Sequence, residues 1–223
     1  MEQSSPPVSP KEWSHTMTHE HIPVLTLSLT RPCFPSTGKT ARIERYFDWL
    51  EQHWTERWKN NLFLKACHSL DNASESDSGY HLWSASLKFT VTYWNDPIIS
   101  IRLDASESCG TSRPTLFCLG ETWDCSTGYP RTLRSFFPSK FYRWKQELLR
   151  IVKTQAAEQL SSGESLLDPD CTAIMERTFD PTQFYLTEKG LNIFYPLYTL
   201  GSYAEGIPVF TVPFDMLSIS EKN

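Results

Sequence analysis

Within the stretch Leu82 to Trp94, the eleven residues 83–93 alternate between apolar and polar without a break. Trp83, Ala85, Leu87, Phe89, Val91 and Tyr93 fall on one side of an extended chain, and Ser84, Ser86, Lys88, Thr90 and Thr92 on the other. A period of two excludes a helix here. One apolar and one wet side point to an antiparallel sheet covered on a single face. Asn95-Asp96-Pro97 supplies turn chemistry, and Ile99, Ile101 and Leu103 continue the pattern on a paired strand. Thr115 to Trp123 reads as a third strand.

The rest of the chain is read around that sheet. Residues 1–20 are polar and proline-rich and read as a flexible tail. His21 to Thr30 is β-rich and reads as a first strand. Ile43, Phe47, Leu50, Trp54, Trp58 and Leu62 recur at three- and four-residue steps, which predicts one long helix over 41–69. Asp71 to Gly79 reads as a polar loop. Phe141, Trp144, Leu148, Val152, Ala156 and Leu160 predict a second helix closed near Gly163, and Asp170 is placed to cap a short third helix ending at Arg177. Strands followed by helices, with hairpin-length links, indicate an α+β fold: a curved antiparallel sheet with two long helices and one short helix packed on one face. We expect a single domain over 21–217, whose two halves, about 21–105 and 106–217, share one core.

A chain of 223 residues buries about 70% of its unfolded surface and needs no metal or disulfide to fold. The net charge is −5 and no basic cluster is present, which argues against nucleic acid as a partner. No apolar stretch approaches the length of a membrane span. The N-terminus lacks a basic start followed by an apolar run, so it does not read as a secretory signal, and a cytoplasmic location is expected. The six cysteines show no C-x-x-C spacing and are expected to be reduced thiols, buried as small hydrophobes. Cys118 and Cys125 are close enough in sequence to meet, and spacing alone leaves their pairing open.

The C-terminal run from Phe179 to Leu217 has a distinctive order. Gln183 to Leu186 and Leu191 to Tyr195 read as strands joined by the turn Thr187-Glu188-Lys189-Gly190, Pro196 ends the second, and Ile207 to Phe214 begins again after Gly206. Upstream stand Cys109-Gly110-Thr111-Ser112, the strand word Leu116-Phe117-Cys118-Leu119, Trp123-Asp124, Ser126-Thr127-Gly128, and Thr132-Leu133-Arg134-Ser135-Phe136-Phe137. This word order, over about residues 80–217, resembles the C-terminal domain of the RsiV anti-sigma factor family of bacteria. Where that family carries a Gly-Gly-Ala-His loop, this chain has Cys109 to Ser112, without histidine. Family members sense lysozyme outside the cell, and related domains accompany cell-wall deacetylases and a mycobacterial secreted antigen family. The resemblance implies a binding role.

Candidate chemistry is sparse. Pro35-Ser36-Thr37-Gly38-Lys39-Thr40 lies between a strand and a helix, as a phosphate-binding loop would. The glycine that such a loop needs is Cys33, and Pro35 removes a donor, so a plain loop is expected. His15, His19 and His21 stand near one another, but imidazoles near a flexible end are usually solvated, and neither metal nor cofactor is expected. Glu121 and Asp124 border the third strand as a candidate acid pair, against an Asx turn at Asp124. Aromatic residues on loops are rigid anchors at interfaces, which singles out Tyr195, Tyr198 and Tyr203, with Trp123 at a strand end, as binding residues. The expectation is therefore a non-catalytic recognition domain that binds a protein partner through its C-terminal aromatic loop. The alternatives are a hydrolase with an unrecognised carboxylate or thiol site, and a protein that binds a small ligand or a cell-wall glycan.

Overall fold

The computed structural model describes residues 5–73, 80–110, 113–138, 142–163 and 165–217. The chain opens with a hairpin. Strand β1 (Ser9–His19) pairs antiparallel with β2 (Ile22–Cys33) through Glu20 and His21, both at positive φ, the conformation that a two-residue hairpin turn requires. The expectation of a tail over 1–20 is corrected for residues 9–19. A strand with one covered face need present only a few apolar groups, here Trp13 and Met17, which pack against the core. Lys11 and Glu12 keep the outer edge charged, as exposed edges often are.

The expected long helix is present, and its middle departs from α geometry. Helix α1 (Ala41–Arg57) runs through a π-helical turn, Trp58–Phe63, into α2 (Leu64–Ala73). Ile43, Phe47, Leu50, Trp54, Trp58, Leu62 and Ala66 form one buried stripe along all three pieces, and the assembly packs over β2. The residues Asp71 to Ala73, expected in a loop, belong to α2, and the remainder of that expected loop, 74–79, lies outside the described residues.

Strand β3 (Trp83–Asn95) follows and pairs in parallel with β2, Leu25 opposite Trp83 and Leu29 opposite Leu87. The sheet is therefore mixed, not antiparallel throughout. The long helix forms the crossover that a parallel pair needs, whereas a hairpin turn brings the next strand back antiparallel. Strands β4 (Ile98–Ser108), β5 (Thr115–Asp124) and the two-residue β6 (Tyr129–Pro130) complete a six-stranded sheet in sequence order. Trp83, Ala85 and Leu87 are buried, and Phe89 and Val91 farther along the same face are half-buried, because the sheet curls away from the helix.

A second unit follows. Helix α3 (Trp144–Ser162) ends at Gly163 in the left-handed conformation, as expected. The expected first residue of that helix, Phe141, lies outside the described residues. Helix α4 (Cys171–Thr178) begins after Asp170, whose backbone carbonyl accepts from Ala173 and Ile174. Its side chain makes no capping bond, which corrects the expected cap. Strands β7 (Phe184–Thr187), β8 (Gly190–Phe194) and β9 (Val209–Val212) form a separate antiparallel sheet. The fold is α+β, as expected.

The single shared core is not what forms. One buried cluster runs from Val24 to Trp123 and another from Leu133 to Val212. The reason is a change of sheet: β7 does not extend the ladder of β5 but docks on its face. Gly120 permits this approach, since a Cβ there would stand 1.8 Å from the Phe184 carbonyl oxygen. The seam is polar as well as close. The Leu186 N–H donates to Ser100 Oγ at 2.9 Å, and Ser100 Oγ and Thr122 Oγ1 share a hydrogen bond at 2.8 Å. Arg102 donates to the Tyr185 hydroxyl at 3.2 Å.

Candidate functional site

Because the second sheet meets the first at one line of contact, a cleft opens beside it. Its volume is about 670 Å³, within the range of roughly 300–1,000 Å³ usual for ligand sites. One wall is β5 from Cys118 to Thr122. The others are the segment Pro130–Arg134, the approach to β7 from Pro181 to Phe184, Phe194, and Trp144 of α3. Most of the lining is apolar, with few polar groups between.

Glu121 is the carboxyl among these groups. Burial pushes its carboxyl up from the ordinary 4.5 to about 7, against the donors that favour its charged form, the Tyr46 hydroxyl and the Trp123 indole. Tyr46 of α1 donates directly to Glu121 Oε1. The indole N–H of Trp123 is buried and makes no well-formed hydrogen bond, so its effect on Glu121 is through proximity. Burial, together with the neighbouring Glu121 charge, raises the Tyr46 phenol far above its usual range, so it remains a donor. On the approach to β7, Gln183 Oε1 is enclosed with no partner in the protein.

Asp124 has a different task. Its Oδ1 accepts from the Ser126 N–H, the Ser126 hydroxyl and the Thr127 N–H, closing the Asx turn that leads to β6. Arg131 lies 3.8 Å away. Burial alone would raise the Asp124 carboxyl; the turn donors and Arg131 outweigh it and hold it low. Glu121 and Asp124 therefore do not form an acid pair.

The aromatic residues expected to bind divide into two sets. Tyr195 is 1% exposed and its hydroxyl donates to the Met175 carbonyl, and Trp123 is 4% exposed against Tyr46. Both are core, which corrects their expected place at a binding surface: Tyr195 packs against Phe210 and Trp123 against Tyr46. Tyr198 and Tyr203 remain on the surface. Tyr198 is 61% exposed at φ +66°, its ring is 6.0 Å from that of Tyr203, and Arg113 lies over the Tyr203 ring.

The other candidates take ordinary places. Thr40 Oγ1 donates to the carbonyls of Pro35 and Thr37, folding the 35–40 loop on itself. His19 pairs with Asp71 at 3.0 Å. All six cysteines are free thiols; only Cys67 and Cys171 are buried, which corrects the expected burial for the other four, Cys109 being the most exposed. Burial pushes Cys118 up to about 12 and Cys125 to about 11, so neither is a ready nucleophile. Sequence reasoning missed Tyr46, Arg131 and Gln183. Tyr46 lies one residue before Phe47 of the buried stripe, and a polar aromatic group at the border of such a stripe was the available signal.

Residues 135–215 match the model of a family described as "Protein of unknown function (DUF3298)". Over that segment the chain is similar to the DUF3298 family. The matched segment contains the whole second unit from α3 to β9. Two solved structures have a similar fold over nearly the full chain. A DUF3298 family protein from Pseudomonas aeruginosa PAO1 is 16% identical, with a TM-score of 0.56, covering 96% of this chain and 94% of its own. A DUF3298 member from Bacteroides fragilis NCTC 9343 is 15% identical, with a TM-score of 0.59, covering 94% and 91%. At such identities the likeness is one of fold. No curated protein matches the chain. No helix among the described residues is long and apolar enough to cross a membrane.

Proposed function

We propose that this chain is a non-catalytic recognition domain that takes its ligand in the cleft between its two packed units. The observation that carries this reading is the cleft itself, about 670 Å³ of mostly apolar wall beside a few polar groups, at the junction of two cores. The binding role agrees with the RsiV resemblance, which we take as a distant relationship of the C-terminal domain. The non-catalytic part of the proposal rests on what surrounds Glu121. Its carboxyl is held by a phenol that stays protonated, while Asp124 is occupied by its own turn. An acid–base pair or an activated nucleophile needs a different arrangement.

The test is a titration of ¹⁵N-labelled protein with indole, benzamide, phenol and imidazole. The amide resonances of Gly120, Thr122, Leu133 and Phe184 are expected to shift together. Thr182→Trp, at an exposed position on the rim, should abolish those shifts by filling the opening. Shifts confined to other surfaces would overturn the reading.

A second reading has its own observation, the exposed Tyr198 held at positive φ against Tyr203. Held in this way, the pair suits a contact with a protein partner. A partner captured by the intact chain and lost by a folded Tyr198→Ala, Tyr203→Ala variant would favour that corner over the cleft.

A further inference from the structure

We infer that the cleft receives an extended, uncharged peptide segment, which adds as a strand to the free edge of β5. This inference rests on the cleft reading above. The sheet order places β4 on one side of β5. On the other side stands only β6, which pairs with Trp123 and Asp124. Among the described residues no strand pairs with that edge from Thr115 to Glu121. Which backbone groups face outward follows from one bond. The Arg131 N–H donates to the Thr122 carbonyl at 2.7 Å, so the N–H and C=O of Thr122 point toward the β6 side. The β4–β5 register runs without a bulge from Thr115 to Asp124, so Gly120, Cys118 and Leu116 point the same way. The ladder reaches Arg131 opposite Thr122, and the turn away at Thr132 ends it where the cleft begins. A peptide entering the cleft would continue the line of β6.

The walls describe the occupant. Leu133, Trp144, Phe184 and Phe194 line the cleft with apolar surface for its side chains. The lining carries one carboxyl, Glu121, and two guanidinium groups, Arg131 and Arg134, so it presents no single sign of charge to select a charged occupant. Peptide backbone supplies alternating donors and acceptors without charge, and strand addition to an open edge is a common mode of peptide recognition.

The experiment uses the full chain and the end-capped peptide acetyl-Thr-Val-Thr-Val-Thr-Val-amide, with two analogues N-methylated at alternate amides. Binding is read from shifts and slowed hydrogen exchange at Cys118 and Gly120. The parent peptide is expected to protect both amides. Methylation of the set facing β5 should weaken binding at least about tenfold, and methylation of the other set should change it little. Equal effects of the two methylated sets would overturn strand addition and leave the cleft reading standing. So would failure of all three peptides where indole or benzamide still binds. Failure of peptides and fragments alike would remove both.

Discussion

Arg31 shows what a single buried residue decides in this molecule. It is 2% exposed and donates to Glu44, Asp48 and Glu51 and to its neighbour's carbonyl, tying β2 to α1. Arg31→Met would leave Glu44, itself accepting from the Phe34 N–H at 2.6 Å, as a buried carboxylate without its counter-ion. A loss of about 3 kcal/mol is expected, since removing one partner of a buried pair costs more than the pair contributes. Urea unfolding should show it, and adding Glu44→Gln should recover part of the loss. Glu121 makes the opposite kind of prediction. Its carboxyl is raised, so between about pH 4.5 and 7 the folded state holds a proton that the unfolded chain releases. Stability must therefore fall as pH rises through that window, by roughly 2 kcal/mol once the open side of the cleft is allowed for. Glu51 and Asp124 are held low and lose their contribution only as pH falls below the usual carboxylate range. Stability measured from pH 5 to 8 should thus fall in the wild type and be flatter in Glu121→Gln. An equal slope in both would show that Glu121 ionises freely. None of this was legible in sequence: Glu121 looked like a strand-end acid, and only its contact with Tyr46, 75 residues away, distinguishes it.

At the level of elements, legibility followed the size of the apolar face. The alternation of 83–93 and the helical stripe from Ile43 to Leu62 were read correctly, because each buries a face wide enough to set a period. Strand β1 was not. Its sequence SPKEWSHTMTH buries little, and its pairing comes from β2 rather than from its own side chains. That difference can be measured. Were residues 1–20 a tail, removing them would leave stability unchanged. In this fold removal takes away the Lys11 and Trp13 donors to Glu51, 3.0 and 2.7 Å away, and strips one edge of β2. The truncated protein should unfold at clearly lower denaturant and aggregate through the bared strand. The π turn at Trp58–Phe63 was likewise invisible, since it leaves the apolar spacing intact. It accompanies the Trp58 indole, which is fully buried and donates to Glu107 at 3.2 Å. The aromatic loop was half legible: its exposed members and its core members share one composition, and only burial separates Tyr198 from Tyr195.

For the whole molecule the question is whether two cores behave as one. Sequence suggested a single core because hairpin-length links join the strands, and nothing in composition marks the point where the sheet changes. The seam that joins the clusters is narrow and runs through Gly120, Ser100, Thr122 and Arg102. Seven of the eight tryptophans lie in the first unit and only Trp144 in the second, so tryptophan fluorescence reports mainly the first while far-ultraviolet circular dichroism reports both. For the wild type the two transitions in urea should coincide, as a cooperative fold requires. Gly120→Ala forces a methyl group against the Phe184 carbonyl, which is backbone and cannot turn aside. A loss of about 3 kcal/mol is expected from such overpacking. Because the strain falls on the seam, the fluorescence and dichroism transitions should also separate, with the second unit unfolding first. A destabilised variant whose transitions still coincide would show that the units are coupled elsewhere. The cleft borders the same seam, so a peptide bound to β5 and touching Phe184 and Trp144 would bridge both units and should bring the separated transitions of Gly120→Ala back together.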